Sequence, residues 1–595
     1  YFGEVTYLDY RPSVGAYEFG YIEPDVSDNN FIYATGGGSA LNRYDWKTRQ
    51  IFDISAPSVL DGLRLRYATS PQAQSPADPQ ALYLGAQAVL ETKDRGLRWQ
   101  AISPDLTGGG RAALTAVAPS PAQPGAIWAG TSDGRIEVTL DGQKWSNVTP
   151  AAVPPGTPIE MIEASPGTGP HAATTAYAVF ERHTHNDFAP YIYRTRDGGQ
   201  HWTRITDGIP VGDFVRVVRA DPKQPGLLFA GTEHGVFVSF NDGAAWESLQ
   251  LRMPRSSVRD MVDYANDLII CTYGRAMWIL DDLSPLRALA RHPGDTATRL
   301  FAPETAIRVQ PDVNYDTPFP PEMPTGTNPP AGAILNYYLA APASKVTLSV
   351  YDSAGHLVRR LTSTTMDGRG APQPPPQLAI PNYWLARPHP LPTGAGMHRV
   401  SWDLRYTAPP AFSHTQPIAA LLHNTPSDPR GPFVTAGQYE LRLEVDGATY
   451  RQPLTVTMDP QITVPLAGLE QQRDLGLAIA AAMRASYEAA GQLSGGARNG
   501  LSAAERKQLQ ALGASGRRRF GRFRRAAPAG PASFRQLNGG LGRLLTLIEL
   551  SDDAPTPTME GNYQRLCRQL QQSLAVWRGL SANPATAPAA SCAGH

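Results

Sequence analysis

Alternation of apolar and polar residues dominates the first 460 positions of the chain. Short runs such as "LLFAGTEHG" at 227–235 and "VFVSF" at 236–240 are separated by glycine-containing breaks, which is the pattern of short β-strands joined by tight turns. From about residue 465 the apolar residues take helical spacing, as in "LEQQRDLGLAIAAAMRASYEAAGQL" and "YQRLCRQLQQSLAVWRGL". The pattern predicts a mainly β chain that ends in a helical hairpin, with "FRQLNGGLGRLLTLIEL" packed beside it.

One turn motif recurs within the β-rich part. "TRDGGQHW" at 195–202 has relatives that end at Trp99, Trp145 and Trp246. Their spacing suits one propeller blade of four short strands, roughly 40 to 50 residues long. A repeat of this kind predicts a β-propeller.

The residue types in the motif explain the turn physically. The acid accepts hydrogen bonds from backbone N–H groups of its own turn, and glycine supplies a positive φ. The hydroxyl residue ties the strand end, and tryptophan packs between sheets. We therefore predict structural roles for the motif residues, which are Asp94, Trp99, Asp141, Trp145, Asp197, Gly199, Trp202, Asn241, Gly243 and Trp246.

"TKDRGLRW", "TRDGGQHW" and "SFNDGAAW" resemble the Asp-box (BNR) repeats of sialidase-like and sortilin-type propellers, whereas "TLDGQKW" is one residue shorter. Over roughly residues 16–460 the chain is similar to large bacterial proteins of the "glycosyl hydrolase-like" type with a sortilin-like propeller. The resemblance implies that N-terminal blades lie outside this chain, because five or six blades are few for such proteins. Counting along the sequence gives one blade at 16–53 that lacks the turn motif, then blades at 63–104, 113–150, 158–208 and 213–252, with a partial blade at 256–283.

Changes in composition along the chain predict five segments. The arginine-rich run at 516–528, "GRRRFGRFRRAAP", is best interpreted as an exposed linker between helices. The segments are the propeller blades at 1–300, forming the C-terminal part of a larger propeller, a Pro-rich linker at 301–332, an immunoglobulin/fibronectin-like β-sandwich with a Pro-rich insertion at 333–460, a helical region at 461–581 and a disordered tail at 582–595.

Composition and charge exclude several function classes. Acidic and basic residues balance at 53 each, so nothing indicates a nucleic-acid partner. The three cysteines form no Cys-x-x-Cys pair, and the sequence contains neither a P-loop nor a dinucleotide fingerprint, so we expect no metal and no cofactor. No apolar run is long enough for a transmembrane segment, and the chain begins at Tyr1 without a signal-peptide pattern.

Candidate chemistry lies on the propeller face opposite the repeated turns. This face, called the rim below, carries the loops between second and third strands of a blade and the loops between blades. The longest such loop is "FERHTHNDFAPY", which is either a metal or sugar contact or, as we favour, a polar loop capped by its own Asp and Asn. Carboxylates that could act as acid and base are Asp187, Asp213 and Glu233, and further ligand-binding residues are His183, His185, Asp187, Arg216, His234, Arg259 and Arg275.

Two functions fit these residues. The first is a secreted or cell-envelope binding or scaffold protein whose propeller binds a protein, peptide or glycan. The alternative is a glycoside hydrolase that acts on polysaccharide with rim carboxylates as acid and base, so whether the chain is an enzyme stays open. The expected location is extracellular, periplasmic or cell-envelope, and a second polypeptide or an N-terminal half is a candidate partner that completes the propeller.

Overall fold

The computed structural model describes most of the chain. The described residues are 20–35, 41–55, 62–64, 69–167, 171–310, 329–364, 390–416, 425–495, 501–514 and 531–581, with short stretches at 5–6, 16, 325–326, 381, 384–386 and 588. They fall into two compact units, Tyr10–Asp295 and a second formed by Tyr1–Asp9 with Thr296–His595. The predicted Pro-rich insertion of the sandwich, the arginine-rich run and the tail lie largely outside the described residues.

Repeated antiparallel sheets build the unit Tyr10–Asp295. The strands up to residue 280 are β1 (Val5–Thr6), β2 (Ile22–Pro24), β3 (Phe31–Thr35), β4 (Leu41–Asp45), β5 (Gln50–Asp53), β6 (Gln72–Gln74), β7 (Leu82–Gly85), β8 (Val89–Thr92), β9 (Gln100–Ala101), β10 (Leu114–Pro119), β11 (Ile127–Thr131), β12 (Ile136–Thr139), β13 (Trp145–Asn147), β14 (Ile159–Ala164), β15 (Ala176–Phe180), β16 (Ile192–Thr195), β17 (Thr203–Arg204), β18 (Val215–Ala220), β19 (Leu228–Thr232), β20 (Val236–Ser239), β21 (Glu247–Ser248), β22 (Val258–Tyr264), β23 (Asp267–Thr272) and β24 (Met277–Leu280).

From β2 onward these strands pair in sequence order into five four-stranded sheets and one three-stranded sheet. They are blade 1 (β2–β5), blade 2 (β6–β9), blade 3 (β10–β13), blade 4 (β14–β17), blade 5 (β18–β21) and blade 6 (β22–β24). Each sheet lies within the range that the repeat predicts. The mainly β, propeller-like prediction is confirmed at this level.

Successive blades pack face to face, with a separate hydrophobic cluster between each pair from blades 1 and 2 to blades 5 and 6. Glycine lets the sheets approach closely. A Cβ on Gly130 of β11 would lie 2.5 Å from Cγ2 of Ile159 in the next blade, and one on Gly231 of β19 would lie 2.5 Å from Cγ1 of Val258. Any side chain at these positions would therefore push the following blade away.

The first strands of the blades face a common centre. Arg219 of β18 donates to Glu163 of β14 at 2.8 Å and to Asp260 of β22 at 2.8 Å. Burial raises the pKa of Glu23 on β2 to about 7, and the charges of Arg219 and Asp260 also act on it. Blades 1, 4, 5 and 6 therefore contribute charged side chains to one central cluster.

Within the described residues, the last strand of blade 6 has a free edge, and no following blade packs on the face of its sheet. Within the described residues no strand pairs with β24 beyond its bond to β23, and no hydrophobic cluster joins blade 6 to blade 1. Met277 and Ile279 alternate outward along β24 and are 52% and 56% exposed, whereas Trp278 and Leu280 pack toward blade 5. A helix, α1 (Ser284–Arg291), follows and anchors Arg287 to Asp221 and Asp263 at 2.8 and 3.1 Å.

The second unit begins with two sheets around one core. Its strands are β25 (Arg299–Leu300), β26 (Ala306–Arg308), β27 (Thr325–Gly326), β28 (Ala333–Leu339), β29 (Val346–Asp352), β30 (Leu357–Thr362), β31 (Gly396–Trp402), β32 (Gly437–Val445) and β33 (Ala448–Met458). Sheet order is β25-β28-β31 in one sheet and β26-β33-β32-β29-β30 in the other, where β26 and β33 are parallel, and β1 pairs with β27. Both sheets contribute to a single hydrophobic cluster.

Helices complete this unit: α2 (Leu466–Gly495), α3 (Ala503–Gly513), α4 (Phe534–Ile548) and α5 (Pro557–Leu580). The prediction of C-terminal helices is confirmed, but the described chain holds four of them rather than a hairpin with one companion. Helix α3 is short and polar, so its apolar pattern is weak. Its start is nevertheless encoded, because Ser502 and Glu505 form a reciprocal capping box.

Buried ion pairs tie the helices to the sheets inside this unit. Arg405 donates to Glu549 at 2.9 Å, and Arg308 pairs with Asp552. Both guanidinium groups also stack on the ring of Phe433. No helix within the described residues is both long and apolar enough to cross a membrane.

Close blade packing predicts that one added methyl group lowers the stability of the fold strongly. We expect Gly130→Ala to lower the free energy of unfolding by about 1–3 kcal/mol, because the new Cβ overlaps Ile159. Gly167→Ala is the matched control, since its nearest neighbour is Ser165 Oγ at 3.4 Å and the change should be nearly neutral. Urea unfolding monitored by tryptophan fluorescence measures both. Equal stability of the two variants would contradict this account of blade spacing.

Candidate functional site

The repeated turns have the local bonding that their residue types predict. Thr195 Oγ1 accepts from the Gly199 N–H at 3.0 Å, and Asp197 Oδ1 accepts from the His201 N–H at 2.9 Å. The backbone and ring hydrogen bonds from His201 lower the pKa of Asp197 to about 2. Thr92 with Asp94, and Ser239 with Asn241, make the same pair of backbone contacts.

Each full-length turn also docks on one residue of the preceding blade. The Trp202 indole donates to the carbonyl of Val148 at 2.7 Å, and a Cβ on Gly199 would lie 2.5 Å from Val148 Cβ. Trp99 with Gly96 meets Ile54 in the same way, and Trp246 with Gly243 meets Ile205. The glycine is thus required for close approach as well as for its positive φ, a role that the turn pattern did not reveal.

The shortened turn keeps the inter-blade bond with a tighter loop. Asp141 Oδ1 accepts from the N–H groups of Gln143 and Lys144 at 2.8 and 2.9 Å, one residue earlier than in the longer turns. Trp145 still donates to the carbonyl of Ile102 in the preceding blade, at 3.3 Å. Deletion of one residue therefore changes the turn without removing the tryptophan contact.

The longest rim loop is held by its own carboxylate. Asp187 Oδ2 accepts from Arg182 Nε at 3.0 Å and from the Tyr191 hydroxyl at 2.8 Å, while Oδ1 accepts from the Ala189 N–H at 3.1 Å. Burial raises the pKa of Asp187, but these donors outweigh it and hold the pKa below its usual range. His185 in the same loop is exposed.

Arg216 joins carboxylates from two rim loops. Its Nη1 lies 3.3 Å from both carboxylate oxygens of Glu181, and its Nε donates to Glu233 Oε2 at 3.1 Å. The Ser257 hydroxyl also donates to Glu233, at 2.8 Å. Burial raises the pKa of Glu233, but the Ser257 hydrogen bond and the charges of Arg216 and Arg259 outweigh it and lower the pKa.

Aromatic and histidine side chains surround this ion cluster. The His183 ring stacks on Phe214 with 5.1 Å between centroids, and the Arg216 guanidinium lies 4.8 Å from the Phe214 ring centre. Phe188, which is 44% exposed, lies 6.1 Å from Phe214. Blade 4 and blade 5 thus share one aromatic and ionic patch.

Asp213 connects two rim loops by hydrogen bonds. Its Oδ1 accepts from the His234 N–H at 3.1 Å and lies 3.1 Å from His234 Nδ1. The contact joins the loop before β18 to the loop after β19. All three carboxylates proposed as acid or base, Asp187, Asp213 and Glu233, are therefore engaged within the rim.

The remaining rim arginines lie on blade 6. The Arg259 guanidinium sits 5.1 Å from the ring centre of Tyr273, a side chain that is 71% exposed. Arg275 is exposed in the turn that follows Tyr273. Neither arginine forms an ion pair with the described residues, in contrast to Arg216.

A β-bulge places the rim residues, a feature that residue spacing along the sequence does not reveal. The pairing of first and second strands shifts register at one position in four blades, leaving Thr115, Glu160, Arg216 and Arg259 unpaired in the ladder. A bulge turns the side chain of the extra residue away from the regular alternation. Alignment of the blade sequences with one another would reveal these positions, because the four residues occupy equivalent places in their blades.

Two of the three candidate rim carboxylates do not suit the role of general acid. Such a group needs a raised pKa to be protonated near neutral pH. Asp187 and Glu233 instead have lowered pKa values. No group of three or more metal-ligating side chains comes together within the described part of the chain.

The chain matches no protein-family model and no curated protein. It is similar to a GH74 enzyme of Niastella koreensis, at 14% identity and TM-score 0.35, over 53% of this chain and 50% of that one. It is also similar to PorZ, a surface component of the type IX secretion system of Porphyromonas gingivalis, at 11% identity and TM-score 0.34, over 72% and 58%. The extracellular domain of a hybrid two-component system from Bacteroides thetaiotaomicron is similar at 9% and 0.32, over 74% and 50%.

The chain thus spans about half the length of the first of these structures. The propeller-like assignment rests on the repeated four-stranded sheets of the chain itself.

Removal of the Arg216 guanidinium tests how much the ion cluster contributes to stability. We expect Arg216→Met to lower the free energy of unfolding by about 3–5 kcal/mol, because Glu181 would be left buried with only the His183 ring beside it. Adding Glu181→Gln should recover part of that loss. Arg275→Met, at an exposed position of the same rim, is the control and should change stability by less than about 0.5 kcal/mol. Chemical unfolding of the four proteins provides the comparison.

Proposed function

We propose that the chain is a binding or scaffold protein whose propeller rim presents a ligand surface to a protein, peptide or glycan. The observation that carries this proposal is the engagement of Asp187, Asp213 and Glu233 by neighbouring side chains and backbone groups. Exposed Phe188 and Tyr273 beside them offer contact area without catalytic groups.

Glycoside hydrolysis is the alternative, and the same rim weighs against it. A hydrolase needs one carboxyl that is protonated and a second that acts as base or nucleophile. The lowered pKa values of Asp187 and Glu233 remove two of the three candidates from the acid role. Both Glu181 and Glu233 are further neutralised by Arg216.

We also propose a finer classification of the two units. The turns that dock through Gly199 and Trp202 support assignment to the Asp-box, sortilin-like propellers. The two sheets around one core support an immunoglobulin- or fibronectin-like sandwich, although the parallel pairing of β26 with β33 adds a strand in the less usual direction. An extracellular, periplasmic or cell-envelope location is part of the same proposal, because a protein, peptide or glycan ligand of this kind is met there.

The open face of blade 6 supports a partner that completes the propeller. We propose that a further antiparallel sheet, carried by a second polypeptide or an N-terminal half, covers Met277 and Ile279. In every other pair the following blade covers this face, so the proposal continues an interface that the chain already uses five times. An unpaired strand edge also favours association with other sheets.

Binding and hydrolysis are separated by one set of measurements. We expect calorimetry against a panel of oligosaccharides and acidic peptides to detect binding, with no new reducing ends after incubation. Phe188→Ala should weaken binding about fivefold or more, because it removes an exposed aromatic contact. Leu97→Ala, 72% exposed on the opposite face, is the control and should bind normally. Cleavage of a glycan that Glu233→Gln abolishes would favour the hydrolase instead.

The open face predicts self-association of the isolated chain. We expect light scattering to show association that increases with protein concentration, and Ile279→Asp to reduce it, because the charge disfavours sheet contact at β24. Val211→Asp, at an 86% exposed rim position, is the control for added charge. An unchanged association in Ile279→Asp would argue against this face as the docking surface.

A further inference from the structure

Blade 5 and blade 6 place an arginine at the same bulge but surround it differently. Val215 pairs with Thr232 as Val258 pairs with Thr272, so Arg216 and Arg259 occupy equivalent positions. The residues after those threonines are Glu233 and Tyr273. Their backbone N–H groups donate to the carbonyls of Phe214 and Ser257 at 3.0 and 2.8 Å, which confirms that the two positions correspond.

In blade 5 the bulge arginine is fully neutralised. Glu181 comes from the preceding blade and Glu233 from the same blade, and both contact the Arg216 guanidinium. Blade 5 therefore shows how an arginine at this position binds carboxylates. Arginine is suited to the role because its planar group presents several donors to a carboxylate.

In blade 6 the second carboxylate is replaced by an aromatic ring. Glu233, the residue from the preceding blade, already pairs with Arg216 and Ser257 and acts on Arg259 only through its charge. Tyr273 stands where blade 5 has its own glutamate and lies against Arg259. The guanidinium of Arg259 thus keeps its hydrogen-bonding capacity for an anion, and Arg275 adds a second cation in the adjacent turn.

We propose that Arg259, Tyr273 and Arg275 bind an acidic saccharide through the carboxylate of a uronic acid residue. This inference rests on the proposed binding function of the rim and names its ligand class. The Tyr273 ring is 71% exposed, so a pyranose can stack its apolar C–H face on it while its carboxylate reaches Arg259.

A saccharide fits these observations better than a protein partner. Protein interfaces of ordinary affinity need about 800 Å² from each partner. The blade 6 site instead consists of one exposed ring with the Arg259 guanidinium 5.1 Å from its centre, which matches a single sugar residue. An acidic peptide nevertheless shares the carboxylate and is therefore included in the test.

The experiment compares a galacturonate oligomer with its methyl ester, which keeps the sugar ring and removes the charge. We expect wild-type protein to bind the acid and to lose about tenfold or more in affinity for the ester. Arg259→Gln should weaken binding of the acid to a similar extent, and Arg259→Lys should recover part of it. Tyr273→Ala should weaken it as well, whereas Arg98→Gln, on the opposite face, should leave it unchanged.

Equal binding of acid and ester, or unchanged affinity in Arg259→Gln, would overturn the inference. Binding of a glutamate-rich peptide in place of the galacturonate oligomer would also overturn it, in favour of a peptide ligand. A neutral ligand that depends on Phe188 but not on Arg259 would overturn the uronic acid inference and keep the proposed binding function. Circular dichroism and unfolding of each variant verify that lost affinity is not lost folding.

Discussion

Blade-to-blade docking of the repeated turns is the constraint on which the propeller depends. Glycine and tryptophan from one turn converge on a single residue of the preceding blade, as Gly199 and Trp202 do on Val148. The glycine removes the Cβ that would hold the sheets apart, and the indole then reaches the backbone carbonyl. Because the same pair acts at Ile54 and Ile205, the spacing between sheets is set by an identical contact in different places.

Rim chemistry follows from that spacing. The carboxylate of Glu181 comes from one blade and Arg216 from the next, so their contact exists only when both blades are docked. The rim loops are consequently joined between blades as well as within them, since Arg216 meets Glu181 of the preceding blade and Glu233 accepts from Ser257 of the following one. This organisation explains why candidate catalytic carboxylates turn out to be occupied: they help to connect the loops that carry them.

Strand periodicity and the turn repeat were sufficient to predict the sheets, because both are local properties of the chain. The "TRDGGQHW" type of turn encodes its own hydrogen bonds between residues four apart, such as Asp197 with His201. The rim could be predicted only as a list of residues on one face. Which carboxylate meets Arg216 depends on register shifts and on side chains from separate blades, and neither is visible in spacing. The polar helix α3 was missed for a related reason, since its signal lies in a cap rather than in apolar periodicity.

The bulge shared by four blades has a consequence for how such a surface can change over evolution. Thr115, Glu160, Arg216 and Arg259 stand outside the regular ladder, so the side chain at each position can be exchanged without altering strand pairing. Single-codon changes at the exposed residues Glu160 and Arg259 would rewrite the charge of one sector while the neighbouring sectors stay as they were, whereas Arg216 is tied to Glu181 of the preceding blade. A propeller built in this way can diversify its recognition one blade at a time, on a scaffold that the docking contacts keep fixed.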